Sequence, residues 1–175
     1  MTGSLPKGES ALDRVSVFLA TGLYLSLFPL KLFRTIPVVR NHATDKWSGC
    51  GLMGSIEGVA TYLLLPEPWA SSPVLLVAAV LFSVAVSSRA ERVIGVHDDT
   101  RIVIDEWVGA WIACAGAPHA WGWSLLAAFV LFRFFDVVKG PLGRLQNLPR
   151  GWGVTLDDVA AGLLSAVLLQ LAARF

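Results

Sequence analysis

Charge is scarce in this chain. Only 15% of its 175 residues are Asp, Glu, Lys or Arg, whereas 55% are hydrophobic and the mean hydropathy is +0.63. An ordinary soluble domain carries roughly a quarter charged residues. The formal net charge of +1 offers no electrostatic basis for a nucleic-acid partner. Cysteine is nearly absent as well. Cys50 and Cys114 are far apart and in no metal-binding spacing, so they read as two isolated packed thiols. The N-terminus, MTGSLPKGES, lacks the basic start and apolar core of a signal peptide, and no export is expected. The length suits one domain.

Long hydrophobic runs fill the space that charge leaves. Six apolar stretches lie near 15–30, 52–65, 73–88, 102–117, 121–138 and 154–173. Most fall a little short of the ~20 residues that cross a bilayer comfortably. Trp69, Trp107, Trp121, Trp123 and Trp152 lie near their ends, as interfacial anchors do. The stretches at 73–88 and 159–173 are apolar nearly all round, which favours lipid over a one-sided core stripe. The expectation is an all-α fold: a small polytopic membrane bundle of five to six apolar helices. Residues 1–14 form a polar tail and 15–175 a single membrane-embedded domain. Pro29 interrupts the first stretch, which either crosses or lies in the interface.

The connections alternate in charge. Those at 66–73 and 117–122 carry no Lys or Arg, whereas those at 31–51, 89–101 and 139–153 hold ten of the fourteen. These are Lys31, Arg34, Arg40, Lys46, Arg89, Arg92, Arg101, Lys139, Arg144 and Arg150. If each later segment crosses once, the three basic loops share one face, and the positive-inside rule makes it cytoplasmic.

The few acids collect on that same face. Asp105 and Glu106 open the fourth apolar segment, behind a loop with His97, Asp98 and Asp99. Arg133, Asp136 and Lys139 close the fifth, and Asp157 and Asp158 open the sixth. Carboxylates at the mouth of an apolar segment are costly without a positive partner. Such a set suits a hard divalent metal and phosphate chemistry. Adjacent on a helix, Asp105 and Glu106 point about 100° apart, so both reach one ion only near the helix end. Plainer readings stand beside this one. Two acids complement a helix N-terminus, Thr155 or Asp157 caps the last helix, and Arg133, Asp136 and Lys139 form a self-neutralising ladder. The Gly-rich GCGLMGS at 49–55 can bring backbone N–H groups near a phosphate. Cys-x5-Arg, Asp-x-Asp, His-Glu-x-x-His and P-loop signatures are missing, as is the pattern of the CDP-alcohol phosphotransferases.

Three ordered motifs resemble the signature of the phosphatidylglycerophosphatase A family. They are His97-Asp98…Ile102-Val103-Ile104-Asp105-Glu106-Trp107-Val108-Gly109, Phe132-Arg133-Phe134-Phe135-Asp136-Val137-Val138-Lys139, and Gly151-Trp152-Gly153-Val154…Asp157-Asp158-Val159-Ala160-Ala161-Gly162. Leu19-Ala20-Thr21-Gly22 and Met53-Gly54-Ser55 are similar to its N-terminal pieces. The family's usual Pro-Gly-Thr is here Cys50-Gly51-Leu52, and Lys139 is followed by Gly140-Pro141. The resemblance implies a Mg²⁺-dependent bacterial inner-membrane enzyme with a cytoplasmic active site. It would hydrolyse phosphatidylglycerophosphate to phosphatidylglycerol and phosphate in phospholipid biosynthesis. On that reading Asp98, Asp105, Glu106, Asp157 and Asp158 are candidate metal ligands. Arg133 and Lys139 bind the substrate phosphate, and Asp105 and Asp136 join them in catalysis. The nucleophile is either water or a carboxylate such as Asp136. The alternatives are a phosphatase of another lipid phosphate and a non-enzymatic membrane transporter or subunit.

Overall fold

The computed structural model describes residues 10–28, 49–118, 122–138 and 140–174. Among them there are seven α-helices, one 3₁₀ segment and no strand. The helices are α1 (Ala11–Ala20), α2 (Cys50–Leu64), α3 (Glu67–Ala70), α4 (Pro73–Ile94), α5 (Ile104–Ala115), α6 (Trp123–Val137) and α7 (Gly151–Ala172), and the 3₁₀ segment is Gly140–Asn147. The fold is all-α, as the apolar runs predict.

Two helices, α4 and α7, are long and apolar enough to cross a membrane, and α2 is a shorter apolar helix. Of the expected five to six spanning helices, two reach that length and apolarity among the described residues. The difference is largest in the first stretch. A capping box sets its start: Ser10 Oγ accepts from the Asp13 N–H and Asp13 accepts from the Ser10 N–H, satisfying donors that a helix start leaves open. The helix then ends at Ala20, with the Thr21 hydroxyl turned back onto the Val17 carbonyl at 2.8 Å. So α1 starts inside the residues read as a polar tail. The segment beyond residue 28, with Lys31, Arg34, Arg40 and Lys46, lies outside the described residues.

A second difference is in α4, which runs six residues past its expected end at 88. Its last turns are amphipathic and tied down from outside. Arg89 pairs with Asp13 at 2.7 Å, Glu91 with His97 at 2.7 Å, and the Gly95 N–H closes onto the Glu91 carbonyl. Asp13 comes from a distant helix and His97 from the loop that follows, so hydropathy alone could not reveal these contacts. The 139–153 connection likewise contains the 3₁₀ segment and the first turn of α7.

The centre of the bundle is α5, packed chiefly against α7 and α2 and also touching α4 and α6. Small residues make this possible. A Cβ on Gly162 of α7 would run into the Gly109 carbonyl oxygen of α5, and one on Gly109 would meet the Phe132 ring. Backbones approach closely only where side chains are absent. Gly162→Val is accordingly expected to lower stability by about 2 kcal/mol, the usual cost of overfilling a packed contact. Thermal unfolding of the detergent-solubilised protein measures this, and an unchanged midpoint would disprove the close contact.

Beside its apolar core the bundle buries several hydroxyls, and it leaves many large apolar side chains exposed. Ser55, Ser83, Ser87, Thr155 and Ser165 are fully buried, while Leu64, Val74, Val77, Val130, Val137, Leu163 and Val167 are exposed. Ser83 and Thr155 share a hydrogen bond of 3.0 Å between α4 and α7. The indoles divide. Trp123 is exposed, but Trp107 donates to Thr61 Oγ1 and Trp111 to the Ala70 carbonyl. Trp107, expected at an interface, instead ties α5 to α2. Trp121 is outside the described residues.

Candidate active site at the polar end of the bundle

The start of α5 is fixed by the Val103 N–H, which donates to the Ala20 carbonyl at 2.7 Å. This linkage brings the first turn, with Asp105 and Glu106, to the end of the bundle where α7 begins and α6 ends. Asp105, Glu106 and Asp158 each offer an oxygen within 4.8 Å of the other two. Asp105 is only 5% exposed and Asp158 3%. Asp105 Oδ1 and Glu106 Oε2 are enclosed and have no hydrogen-bond partner. Repulsion from Glu106, Asp158 and Asp98 all reaches Asp105, and Glu106 is repelled by Asp136 and attracted by Arg133.

Three carboxylates this close and this dry are unfavourable by themselves. Their oxygens form a donor set suited to a hard cation, which takes carboxylate oxygens and keeps open positions for water or substrate. The N-terminal end of α5 contributes a partial positive charge, but half an elementary charge does not offset three acids.

Arg133 faces this group from α6. Its Nη1 pairs with Asp136 Oδ2 at 2.6 Å and donates to Ser55 Oγ at 3.1 Å, and that hydroxyl donates to the Gly51 carbonyl at 2.8 Å. Gly51 is required by space: a Cβ there would collide with Glu106 Oε1 and press on Arg133 Nη1. The first turns of α2 thus form a wall that holds the guanidinium and Glu106 together.

The structure therefore brings together Asp105, Glu106, Asp158, Arg133 and Asp136. Asp157, buried on α7, is not in the three-acid group. Asp98 also stands outside it. Its carboxylate accepts from Gln146 Nε2 at 3.2 Å, and its backbone N–H donates to Glu91. His97 is paired with Glu91; burial disfavours its charged ring, yet the Glu91 carboxylate outweighs this and raises its pKa above the ordinary imidazole value. Asp99 is held by two contacts from Arg101, at 2.7 and 2.8 Å. Lys139 lies outside the described residues.

Two residues near the site were not expected from the sequence. Ser55 appeared only as part of a motif, without a role. Glu57 was overlooked, although an acid in the middle of the apolar run MGSIEGVATYLL is itself a signal. Both Glu57 oxygens are enclosed without hydrogen-bond partners, they abut Gly22, and repulsion from Glu106 reaches them.

Fold and site define an all-α protein whose polar end sets clustered acids beside a guanidinium, an arrangement suited to phosphate-bearing substrates. The chain belongs to the phosphatidylglycerophosphatase A family, whose model matches residues 18–173. By family it is a phosphatase. It is 33% identical over 123 residues to phosphatidylglycerophosphatase A of Escherichia coli, covering 68% of this chain and 71% of that one. The Haemophilus influenzae phosphatidylglycerophosphatase A is 34% identical over 124 residues, covering 68% and 76%. A Bacteroides thetaiotaomicron protein provisionally named a phosphatidylinositol-3-phosphatase is 40% identical over 131 residues, covering 69% and 79%. No solved structure matches the chain.

Proposed function

We propose that this protein is a Mg²⁺-dependent phosphatidylglycerophosphatase working at the cytoplasmic face of a bacterial inner membrane. The observation that carries the reading is the meeting of Asp105, Glu106 and Asp158 with Arg133 at one end of the bundle, where Asp105 Oδ1 and Glu106 Oε2 are enclosed without a hydrogen-bond partner. Asp105, Glu106 and Asp158 would hold Mg²⁺, which when bound supplies positive charge against the phosphoryl oxygens.

The chain's own groups do the rest. Arg133 binds a phosphoryl oxygen through the guanidinium nitrogens that Asp136 and Ser55 do not take, and a planar fork suits such an oxygen pair. Asp136 orients Arg133. An Asp136 oxygen held at 2.6 Å by the guanidinium is a poor nucleophile, which favours water as the attacking group over the carboxylate.

Membrane placement is supported by the lengths of α4 and α7 and by the large apolar side chains exposed on α2, α6 and the two long helices. Lipid accommodates such an exterior and water does not. The shorter helices α2, α5 and α6 would complete a bundle embedded as a unit. The basic connections would then lie on the cytoplasmic side.

A second substrate has a specific basis, because a 40% identical relative carries a phosphoinositide phosphatase name. Phosphate release from phosphatidylglycerophosphate, phosphatidylinositol-3-phosphate and phosphatidic acid, with Mg²⁺ and with excess chelator, separates the readings. The expected result is fastest release from phosphatidylglycerophosphate and none in chelator. Faster turnover of the phosphoinositide would move the substrate, and release unaffected by chelator would remove the cation.

A further inference from the structure

A depression of about 320 Å³ opens where α4 ends and α7 begins, and it shares no residue with the carboxylate cluster. Ser88, Glu91, Arg92, His97 and Arg150 line it, with Gly95 and Val96 at its rim. Arg92 donates from Nε to the Ser88 carbonyl at 3.3 Å, which leaves its terminal nitrogens open. Neither Arg92 nor Arg150 joins an ion pair among the described residues. The one acid in the lining, Glu91, is buried and already committed to His97 Nδ1 and the Asp98 N–H. Among the described residues, the depression therefore presents two guanidinium groups without an ion-pair partner beside an imidazole paired with Glu91. The side of the Ser88 hydroxyl is fixed too, since it accepts from the Gly151 N–H at 3.1 Å and anchors the start of α7 to α4.

The surroundings indicate what these cations meet. They sit at the ends of the two helices long enough to cross a membrane. Elsewhere on α4 and α7, Leu81, Phe82, Leu163 and Val167 are exposed, and Trp152, two positions after Arg150, is 44% exposed. Aromatic and basic residues above an apolar wall are the pattern of a lipid headgroup contact. We infer that Arg92 and Arg150 form a binding site for the phosphate group of an anionic phospholipid, separate from the carboxylate cluster. The site depends on α4 and α7 being membrane-embedded and does not depend on the phosphatase reading.

The test uses the full chain in uncharged detergent, titrated calorimetrically with dihexanoyl phosphatidylmethanol, an anionic phosphodiester, and with dihexanoyl phosphatidylcholine. Binding of the anionic lipid in preference to phosphatidylcholine is expected, weakened about thirtyfold in R92Q/R150Q, in line with the contribution of two interfacial basic residues. R92K/R150K should bind within about threefold of the wild type, because charge matters more than shape for a point contact. If the double variant does not fold, R92Q and R150Q singly carry the test with a loss of about fivefold each. Asp105→Asn should bind the lipid as the wild type does, which places the site outside the carboxylate cluster and keeps the result independent of catalysis. Competition by inorganic phosphate would show that the phosphate group suffices, and its failure that the phosphate must be borne on a lipid; both keep the site. Equal binding of phosphatidylcholine, undiminished binding in R92Q/R150Q, or loss of binding in Asp105→Asn would each overturn it.

Discussion

Asp105→Asn is expected to reduce phosphate release by about 10²- to 10³-fold, the usual loss when one electrostatic stabilising group is removed from a preorganised site. It should do so without harming the fold. Asp105 is 5% exposed, and one of its oxygens is enclosed with no hydrogen-bond partner. Repulsion from Glu106, Asp158 and Asp98 converges on it. Without a cation, burial and these neighbours disfavour a charge at Asp105, and the amide removes that penalty at nearly constant volume. The variant in divalent-free buffer should unfold at a temperature no lower than the wild type, while excess Mg²⁺ should raise the wild-type midpoint more than the variant's. The two measurements work together. A wild-type rate would exclude Asp105 from the site. A lost rate with a lowered midpoint would make it a structural acid whose removal unfolds the bundle.

Much of this site was legible because apolar segments make each charge conspicuous. Asp105, Glu106, Arg133, Asp136 and Asp158 interrupt or border hydrophobic runs, and alternation of the basic loops already assigned their helix ends to one face. The helix identities were legible for the same reason, since the runs at 52–65, 102–117, 121–138 and 154–173 fall on α2, α5, α6 and α7. What hydropathy could not show depends on tertiary partners. The final turns of α4 persist because Asp13 and His97 meet Arg89 and Glu91, pairs separated by 76 and 6 positions. Trp107 and Trp123 look alike in sequence, but only the first has Thr61 within reach. Asp157 and Asp158 are neighbours whose roles diverge because a helix turns about 100° per residue, which sends only Asp158 into the group of three. Ser55 and Gly51 gain meaning from Arg133 and Glu106, which lie on other helices.

Arg133→Lys should lose at least about tenfold in rate, equivalent to ~1.4 kcal/mol of transition-state stabilisation, although the formal charge is kept. The argument follows from how the guanidinium is held. Nη1 serves two partners at once, Asp136 at 2.6 Å and Ser55 at 3.1 Å, so the remaining nitrogens are presented in a fixed plane. A phosphoryl group leaving its ester spreads charge over its equatorial oxygens, and a fixed fork can meet two of them. A lysine ammonium is a point charge on a flexible stem and has no plane. Held by Asp136, it would have little left to offer the substrate. The loss should fall on kcat more than on KM, because the contact strengthens as charge develops. Ser55→Ala removes one of the two restraints and leaves the other, so a smaller loss of about threefold is expected, with the same bias towards kcat. Steady-state rates over a range of phosphatidylglycerophosphate concentrations measure both. Arg133→Lys with the wild-type kcat, or a change confined to KM, would reduce Arg133 to the inner member of an ion pair. In that case neutralisation of the phosphate would rest on other groups at this end of the bundle.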